Sequence, residues 1–133
     1  MAAPTPDILT RQIGHRGVVS WQAEWGDGNG LTATKVIDLS ALGDGYTNSL
    51  AIERIAYACS AGISFALDFD ATSNQFIHGS VLGSTDFVDI DYTWHGRGGI
   101  QKTAAGSTGD LILTTDSQAA GDEISLTVWF RCS

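Results

Sequence analysis

The segment Glu-Ile-Ser-Leu-Thr-Val-Trp-Phe-Arg-Cys, residues 123–132, decides the fold class of this chain. Its large apolar side chains recur at every second position, and successive side chains of a β-strand point to opposite faces of a sheet. The segment therefore predicts a strand with one apolar and one polar face, as in an antiparallel sheet that packs on one side only. Three further stretches share the pattern, at residues 19–25, 63–69 and 88–94.

Eight strands are predicted along the chain, each bounded by residues that favour turns. They cover residues 17–25, 31–40, 50–59, 63–70, 75–82, 87–94, 110–115 and 122–132. In the third of these, the spacing of Ile52, Ile55 and Cys59 also fits a helical stripe, but its β-branched and aromatic residues favour a strand. Short strands at this spacing predict one all-β domain, an antiparallel β-sandwich of about eight strands, with the jelly roll as a candidate topology.

Charge and length exclude several classes of partner. The chain has 133 residues and a formal net charge of −8, whereas a nucleic-acid groove needs positive charge to contact phosphates. It contains no apolar run long enough to span a membrane and no cationic amphipathic segment. Residues 1–16 lack the basic and apolar regions of a signal peptide, so we expect synthesis in a cytoplasm. Cys59 and Cys132 are then expected to be buried free thiols, with a disulfide between them as the alternative.

Residues 1–16 differ from the rest of the chain, since they contain Pro4 and Pro6 and show little periodicity. They predict an extended N-terminal arm ahead of a sandwich domain at residues 17–133. Terminal segments are ordered only when something holds them, so the arm packs either on a neighbouring chain or on its own domain. Its prolines, with Ile8 and Leu9, are candidate contacts for a partner.

One loop begins like a calcium site. Residues 26–30 read Gly-Asp-Gly-Asn-Gly, but Thr32 and Asp38 stand where a calcium loop needs glycine and glutamate. A hairpin loop, in which glycine and asparagine adopt positive φ, explains the same residues. We therefore assign no metal or cofactor to this loop.

Two carboxylate pairs, Asp68 with Asp70 and Asp89 with Asp91, each share one face of a predicted strand. Acid–base work of the kind that glycosidases perform would use such pairs, but a solvated outer face accounts for them as well. No histidine lies at zinc-binding spacing from another histidine or a cysteine, the three being His15, His78 and His95. No nucleophile elbow is present, so we assign no catalytic residue and expect a protein that is not an enzyme.

The tryptophans point to binding instead. Trp129 alternates with Val128 and Phe130, so it is expected to face away from their core, unless a second sheet covers it. Trp25 shares a face with Val19 but lies at the edge of a loop. An outward tryptophan anchors a protein interface or forms a platform for a sugar ring.

Residues 52–131 carry several strand and turn motifs that together form a recognisable pattern. These are Ile-Glu-Arg-Ile-Ala-Tyr at 52–57, Leu-Asp-Phe-Asp-Ala-Thr at 67–72, Gly-Gly-Ile-Gln at 98–101, Thr-Gly-Asp-Leu-Ile-Leu-Thr-Thr at 108–115 and Ala-Ala-Gly-Asp at 119–122. The pattern resembles small proteins encoded in the morphogenesis regions of tailed bacteriophages. The resemblance implies a β-sandwich or jelly-roll virion subunit without catalytic residues, which binds the capsid lattice, often as an oligomer. His95 and Arg97 depart from the pattern and leave the role of their loop open.

We therefore expect a structural virion protein that decorates and stabilises the capsid surface by binding the lattice of the major capsid protein. A neck, tail or fibre component and a carbohydrate-binding module are the alternatives. Neither nucleic acid nor membrane is expected as a partner, and a homo-oligomer is. The candidate contact residues are Pro4, Pro6, Ile8, Leu9, Trp25, His95, Arg97 and Trp129.

Overall fold

A computed structural model describes residues 7–25, 34–43, 50–59, 63–80, 88–91, 100–101, 110–116 and 120–132. Within these ranges the chain forms strands and a single 3₁₀ turn at Leu39–Ala41. The strands are β1 (Asp7–Ile13), β2 (Arg16–Glu24), β3 (Thr34–Ile37), β4 (Leu50–Cys59), β5 (Ser64–Phe69), β6 (Gln75–Ser80), β7 (Val88–Asp91), β8 (Ile100–Gln101), β9 (Leu111–Asp116) and β10 (Glu123–Cys132).

The strands form two antiparallel sheets. The six-stranded sheet has the order β1-β2-β10-β4-β7, with β8 also paired to β4, and the four-stranded sheet has the order β3-β9-β5-β6. When β1 and β8 are set aside and the other strands are numbered from 1 to 8, the sheets read 1-8-3-6 and 2-7-4-5. This is the strand order of a jelly roll, so the predicted β-sandwich is confirmed in its jelly-roll form.

The core lies between the two sheets and is built by alternation along each strand. Every predicted inward position of residues 19–25, 63–69 and 124–130 is buried. Tyr57 of β4 and Phe65 of β5 join the sheets through an edge-to-face contact, with ring centroids 4.8 Å apart and planes at 83°. In the fourth alternating stretch, residues 88–94, Ile90 is half-buried, and residues 92–94 lie outside the described residues.

Each of the eight predicted strands overlaps one observed strand. β4 spans residues 50–59 as predicted, so the helical alternative is wrong there. The predicted strand at 31–40 ends early because Asp38 caps the 3₁₀ turn: its carboxylate accepts hydrogen bonds from the Ser40 N–H at 3.1 Å and the Ser40 hydroxyl at 2.6 Å. These bonds from Ser40 lower the pKa of Asp38.

Residues 7–16 of the predicted extended arm pack on their own domain, which is one of the two alternatives for the arm. β1 pairs with β2 along its whole length, from Asp7 opposite Gln22 to Ile13 opposite Arg16. A two-residue turn joins the strands, and Gly14 adopts the positive φ of 59° that such turns favour at their first position. The segment is therefore extended, but as an edge strand of its own domain. Residues 1–6, with Pro4 and Pro6, lie outside the described residues.

Both cysteines are free and buried, as predicted. Cys132 pairs with Leu50 at one end of β4, and Cys59 lies at the other end, about 30 Å away by the rise of an antiparallel strand. A disulfide between them is therefore excluded, because its Cα atoms must lie within about 7 Å. Burial raises the pKa of the Cys132 thiol, which donates to the carbonyl of His15 at 3.4 Å.

Candidate functional site

A row of side chains crosses the outer face of the six-stranded sheet. Directly opposed residues of paired strands lie on the same face. Val18 opposes Trp129, Trp129 opposes Arg54, and Arg54 opposes Asp91, so these residues form one line across four strands. We call this line the Trp129 row. Trp129 is half-buried and faces away from the core, as predicted, because the four-stranded sheet packs on the other face.

Arg54 is held at the centre of the row by two contacts. Its guanidinium carbon lies 4.6 Å from the centroid of the Trp129 ring, a cation–π distance. Its Nε donates to Asp89 Oδ1 at 2.7 Å, and a terminal guanidinium nitrogen donates to the second carboxylate oxygen. This hydrogen-bonded pair lowers the pKa of Asp89 and raises that of Arg54. The row thus presents an aromatic ring, a fixed cation and carboxylates side by side.

A register shift lies beside the row. Trp129 opposes Arg54, whereas the next residue, Phe130, opposes Ile52, so Glu53 is an extra residue in β4. Such bulges bend a strand and redirect neighbouring side chains. Here the extra residue lets Ile52 face the core beside Phe130, although Arg54, two positions further on, remains outside beside Trp129.

The second exposed feature is β1, which is an edge strand of the six-stranded sheet among the described residues. Ile8 is 48% exposed, Leu9 55% and Ile13 89%. These are the large hydrophobic side chains that the described residues expose. Ile8 and Leu9, predicted as partner contacts, are therefore accessible, and their role in binding stays a prediction.

The expectation that Trp25 is an exposed anchor is wrong. Its side chain is only 1% exposed, because it continues the inward series of Val19, Trp21 and Ala23 beyond the end of β2. Its backbone is also fixed: the Trp25 N–H donates to Asp122 at 2.8 Å and its carbonyl accepts from Gly121 at 2.7 Å. His95, Arg97 and the loop at 26–30 lie outside the described residues.

Among the carboxylates of the two predicted pairs, Asp89 has a structural role. Asp89 binds Arg54, and Asp68 is half-buried, which raises its pKa. Sequence reasoning missed Asp110, which is buried and accepts the Leu39 N–H at 2.9 Å while its other oxygen lies 3.3 Å from Lys35 Nζ. This carboxylate fixes the 3₁₀ turn against the start of β9.

Within the described part of the chain, no group of three or more histidine, cysteine, aspartate or glutamate side chains could hold a metal ion. The same residues contain no helix that is long and apolar enough to cross a membrane.

No family model matches the sequence, and no curated protein matches it. Among solved structures, the chain is similar to a mutant of CBM29-2, a family 29 carbohydrate-binding module complexed with mannohexaose. The alignment covers 98% of this chain and 81% of that chain at 9% identity, with a TM-score of 0.35. Similarity at this level carries no argument about ligands.

Proposed function

We propose that this chain is a structural virion protein of a tailed bacteriophage, which decorates the capsid surface and stabilises it by binding the lattice of the major capsid protein. The motifs at residues 52–131 that resemble phage morphogenesis proteins support this proposal. The jelly roll is compatible with it, since the fold occurs in viral capsid proteins and also in lectins. Fold alone does not decide between these uses, so the argument depends on the exposed surface.

The Trp129 row is the observation that carries the proposal. Tryptophan and arginine are the residues most enriched where protein interfaces concentrate their binding energy. Arg54 is already oriented by Asp89 and by the Trp129 ring, so little side-chain freedom remains to be lost on binding. A sheet face with a preorganised arginine and tryptophan suits contact with a second protein surface.

The same geometry disfavours the sugar-binding alternative at Trp129. A sugar platform needs an open ring face, and the Arg54 guanidinium lies over one face of this ring. A carbohydrate that stacks on this face would have to displace a cation that Asp89 also holds. A protein partner needs no such displacement, because it can contact the stacked pair as one unit.

The test uses bare capsids of the phage that encodes the chain. Decorated capsids should melt at a higher temperature than bare capsids, because a ligand that binds only the intact lattice stabilises it by mass action. Trp129→Ala should weaken capsid binding by about 2 kcal/mol or more, about thirtyfold. Thr127→Ala, on the same face of the same strand, is the matched control and should bind as the unaltered chain does.

Three results would contradict the proposal. Equal melting temperatures of bare and decorated capsids would remove the stabilising role. A copy number fitting a single ring, instead of the whole lattice, would move the chain to the neck or tail. Quenching of Trp129 fluorescence by a glycan, with the isolated chain and no capsid, would favour the carbohydrate-binding alternative.

A further inference from the structure

Among the described residues, β1 forms one edge of the six-stranded sheet. Within the described part of the chain, β2 is its only strand partner. Free edges are templates for pairing with another chain, and proteins blunt them with short strands, charges or bulges. The other sheet ends have such devices: β7 has four residues with Asp89 and Asp91 among them, and the pairings of β3 and β6 contain register shifts. The β1–β2 register runs from Asp7 to Ile13 without a shift.

The geometry of the β1–β2 hairpin determines which backbone groups of β1 point outward, away from β2. Residues that flank a two-residue turn form a hydrogen-bonded pair, and such pairs recur at every second position. Because the turn follows Ile13, the odd-numbered residues of β1 direct their backbone groups towards β2. The Arg11 carbonyl accordingly lies close to Gly17 of β2. The even-numbered Ile8 and Thr10 therefore direct their N–H and C=O groups outward.

We propose that two copies of this chain pair their β1 strands antiparallel about a two-fold axis at Leu9, so that the sheet continues from one copy into the other. Ile8 then exchanges backbone hydrogen bonds with the partner's Thr10, and Thr10 with the partner's Ile8. Leu9 contacts its own symmetry mate. Asp7 lies opposite the partner's Arg11, and the symmetry repeats this ion pair on the other side of the axis.

The charges select this register. Only registers that oppose even-numbered residues with even-numbered residues use the outward backbone groups. Shifting the partner by two residues in either direction would place both Asp7 and Arg11 opposite uncharged residues. Side chains of a non-hydrogen-bonded pair lie closest, and opposite charges there favour pairing. The part of β1 that can pair with a second copy ends at Gln12, because the Gln12 side-chain amide is hydrogen-bonded to the backbone of Gly43 at 2.9 and 3.1 Å.

The proposed dimer does not depend on the proposed function, but it would strengthen binding to the capsid lattice. Leu9 and Arg11 share the outer face with Ser20 and Val18, so the Trp129 rows of both copies would lie on one continuous face. Two linked contacts bind a repeating surface more tightly than one. The interface is one strand wide and smaller than standard interfaces, so we expect a weak dimer whose population rises with concentration.

Charge exchange tests the register in the chain of 133 residues by sedimentation equilibrium from micromolar to millimolar concentrations. Asp7→Arg places two arginines opposite each other across the dimer, and Arg11→Asp places two aspartates opposite each other. Each change alone should therefore raise the dissociation constant about tenfold. The double variant restores opposite charges and should return the constant to that of the unaltered chain. Restoration arises only between chains, since two positions four apart in one strand lie about 13 Å from each other.

Glu53→Arg is the matched control, because it changes the net charge as Asp7→Arg does but lies in β4, three strands away from β1. It should leave the dissociation constant unchanged, and thermal melts should show that all variants fold. A monomer at every concentration would overturn the proposal. So would a dimer that is insensitive to both single changes, or a double variant that stays as weak as the single variants.

Discussion

The two faces of β10 differ in how far the fold depends on their side chains. The inward residues are at most 2% exposed, and these are Ile124, Leu126, Val128, Phe130 and Cys132. The outward residues between them are exposed or half-buried, and these are Ser125, Thr127, Trp129 and Arg131. One strand thus carries a set of side chains that the core requires and a second set that it does not.

The difference indicates where function is to be sought. Inward positions are constrained by the volume and shape of the core, so a large apolar residue there needs no further explanation. On the outward face, small polar residues would be sufficient to form the strand. Packing therefore does not require a residue as large as Trp129 there. Trp129 contacts Arg54, which in turn binds Asp89, so a structured surface exists where packing does not demand one.

The largest expected effect tests the inward set. Leu126→Ala and Phe65→Ala should each lower the free energy of unfolding by about 2–5 kcal/mol, because each empties a buried core position. Ser125→Ala, one residue out of phase on the solvent face, should change it by less than about 0.5 kcal/mol. Urea denaturation measures all three. If Ser125→Ala were the most destabilising change, the two faces would be interchanged, since a register slip of one residue inverts every assignment.

Gly17 tests how closely the inward face is packed. A Cβ atom at this position would lie 2.4 Å from Phe130 Cζ and 2.8 Å from the Arg11 carbonyl oxygen. The ring can move but the backbone carbonyl is held in the sheet, so Gly17→Ala should cost about 1–3 kcal/mol. Gly43→Ala is the control, because its nearest contact would be an ordinary 3.7 Å. Equal melting temperatures for the two variants would mean that β1 and Phe130 yield without cost.

Alternation made the sandwich predictable. Residues 63–69 and 124–130 place large apolar side chains at every second position, with the period of a strand, and the structure buries those side chains. The same alternation places Trp25 on the face of Val19, and because that face is buried, Trp25 is buried too. The expectation of an exposed Trp25 was wrong because position beside a loop was weighed above the phase of the strand.

Other features depend on contacts between distant segments and leave no local signal. β1 has exposed residues at most positions, so it lacks the one-sided pattern, and its pairing with β2 comes from the turn at Gly14. The Arg54–Asp89 pair joins residues 35 apart through the β4–β7 register. The outward phase of Arg54 in residues 50–59 was visible in the sequence, but the strand that would lie beside it was not.

Removing the aromatic ring of the outward face should affect stability less than removing an inward side chain. Trp129→Ala should lower the free energy of unfolding by about 1 kcal/mol, because the ring is half-buried and an exposed cation–π contact contributes about 0.5–1 kcal/mol. Thermal or urea denaturation beside Leu126→Ala measures the difference. A loss as large as that of Leu126→Ala would show that Trp129 belongs to the core in energetic terms, and its place in a binding surface would lose its support.

The smallest effects concern two outward carboxylates whose pKa values shift in opposite directions. Arg54 lowers the pKa of Asp89, so the contribution of this carboxylate to stability is present above the unfolded-state pKa of about 3.9 and is lost as the pH falls through the lower, folded-state pKa. Burial raises the pKa of Asp68, so its contribution is present below the unfolded-state pKa and is lost as the pH rises through the folded-state pKa.

Asparagine substitutions separate these two contributions, since asparagine does not titrate. Relative to the unaltered chain, Asp89→Asn should lose stability at neutral pH and less at acid pH, whereas Asp68→Asn should gain stability at neutral pH relative to acid pH. Melting temperatures of both variants between pH 2 and 7 provide the measurement, with Ser125→Ala as the control without a titrating group. Parallel curves for the two variants would contradict the argument, because Arg54 would then not hold Asp89 in solution, and the preorganised cation of the Trp129 row would be absent.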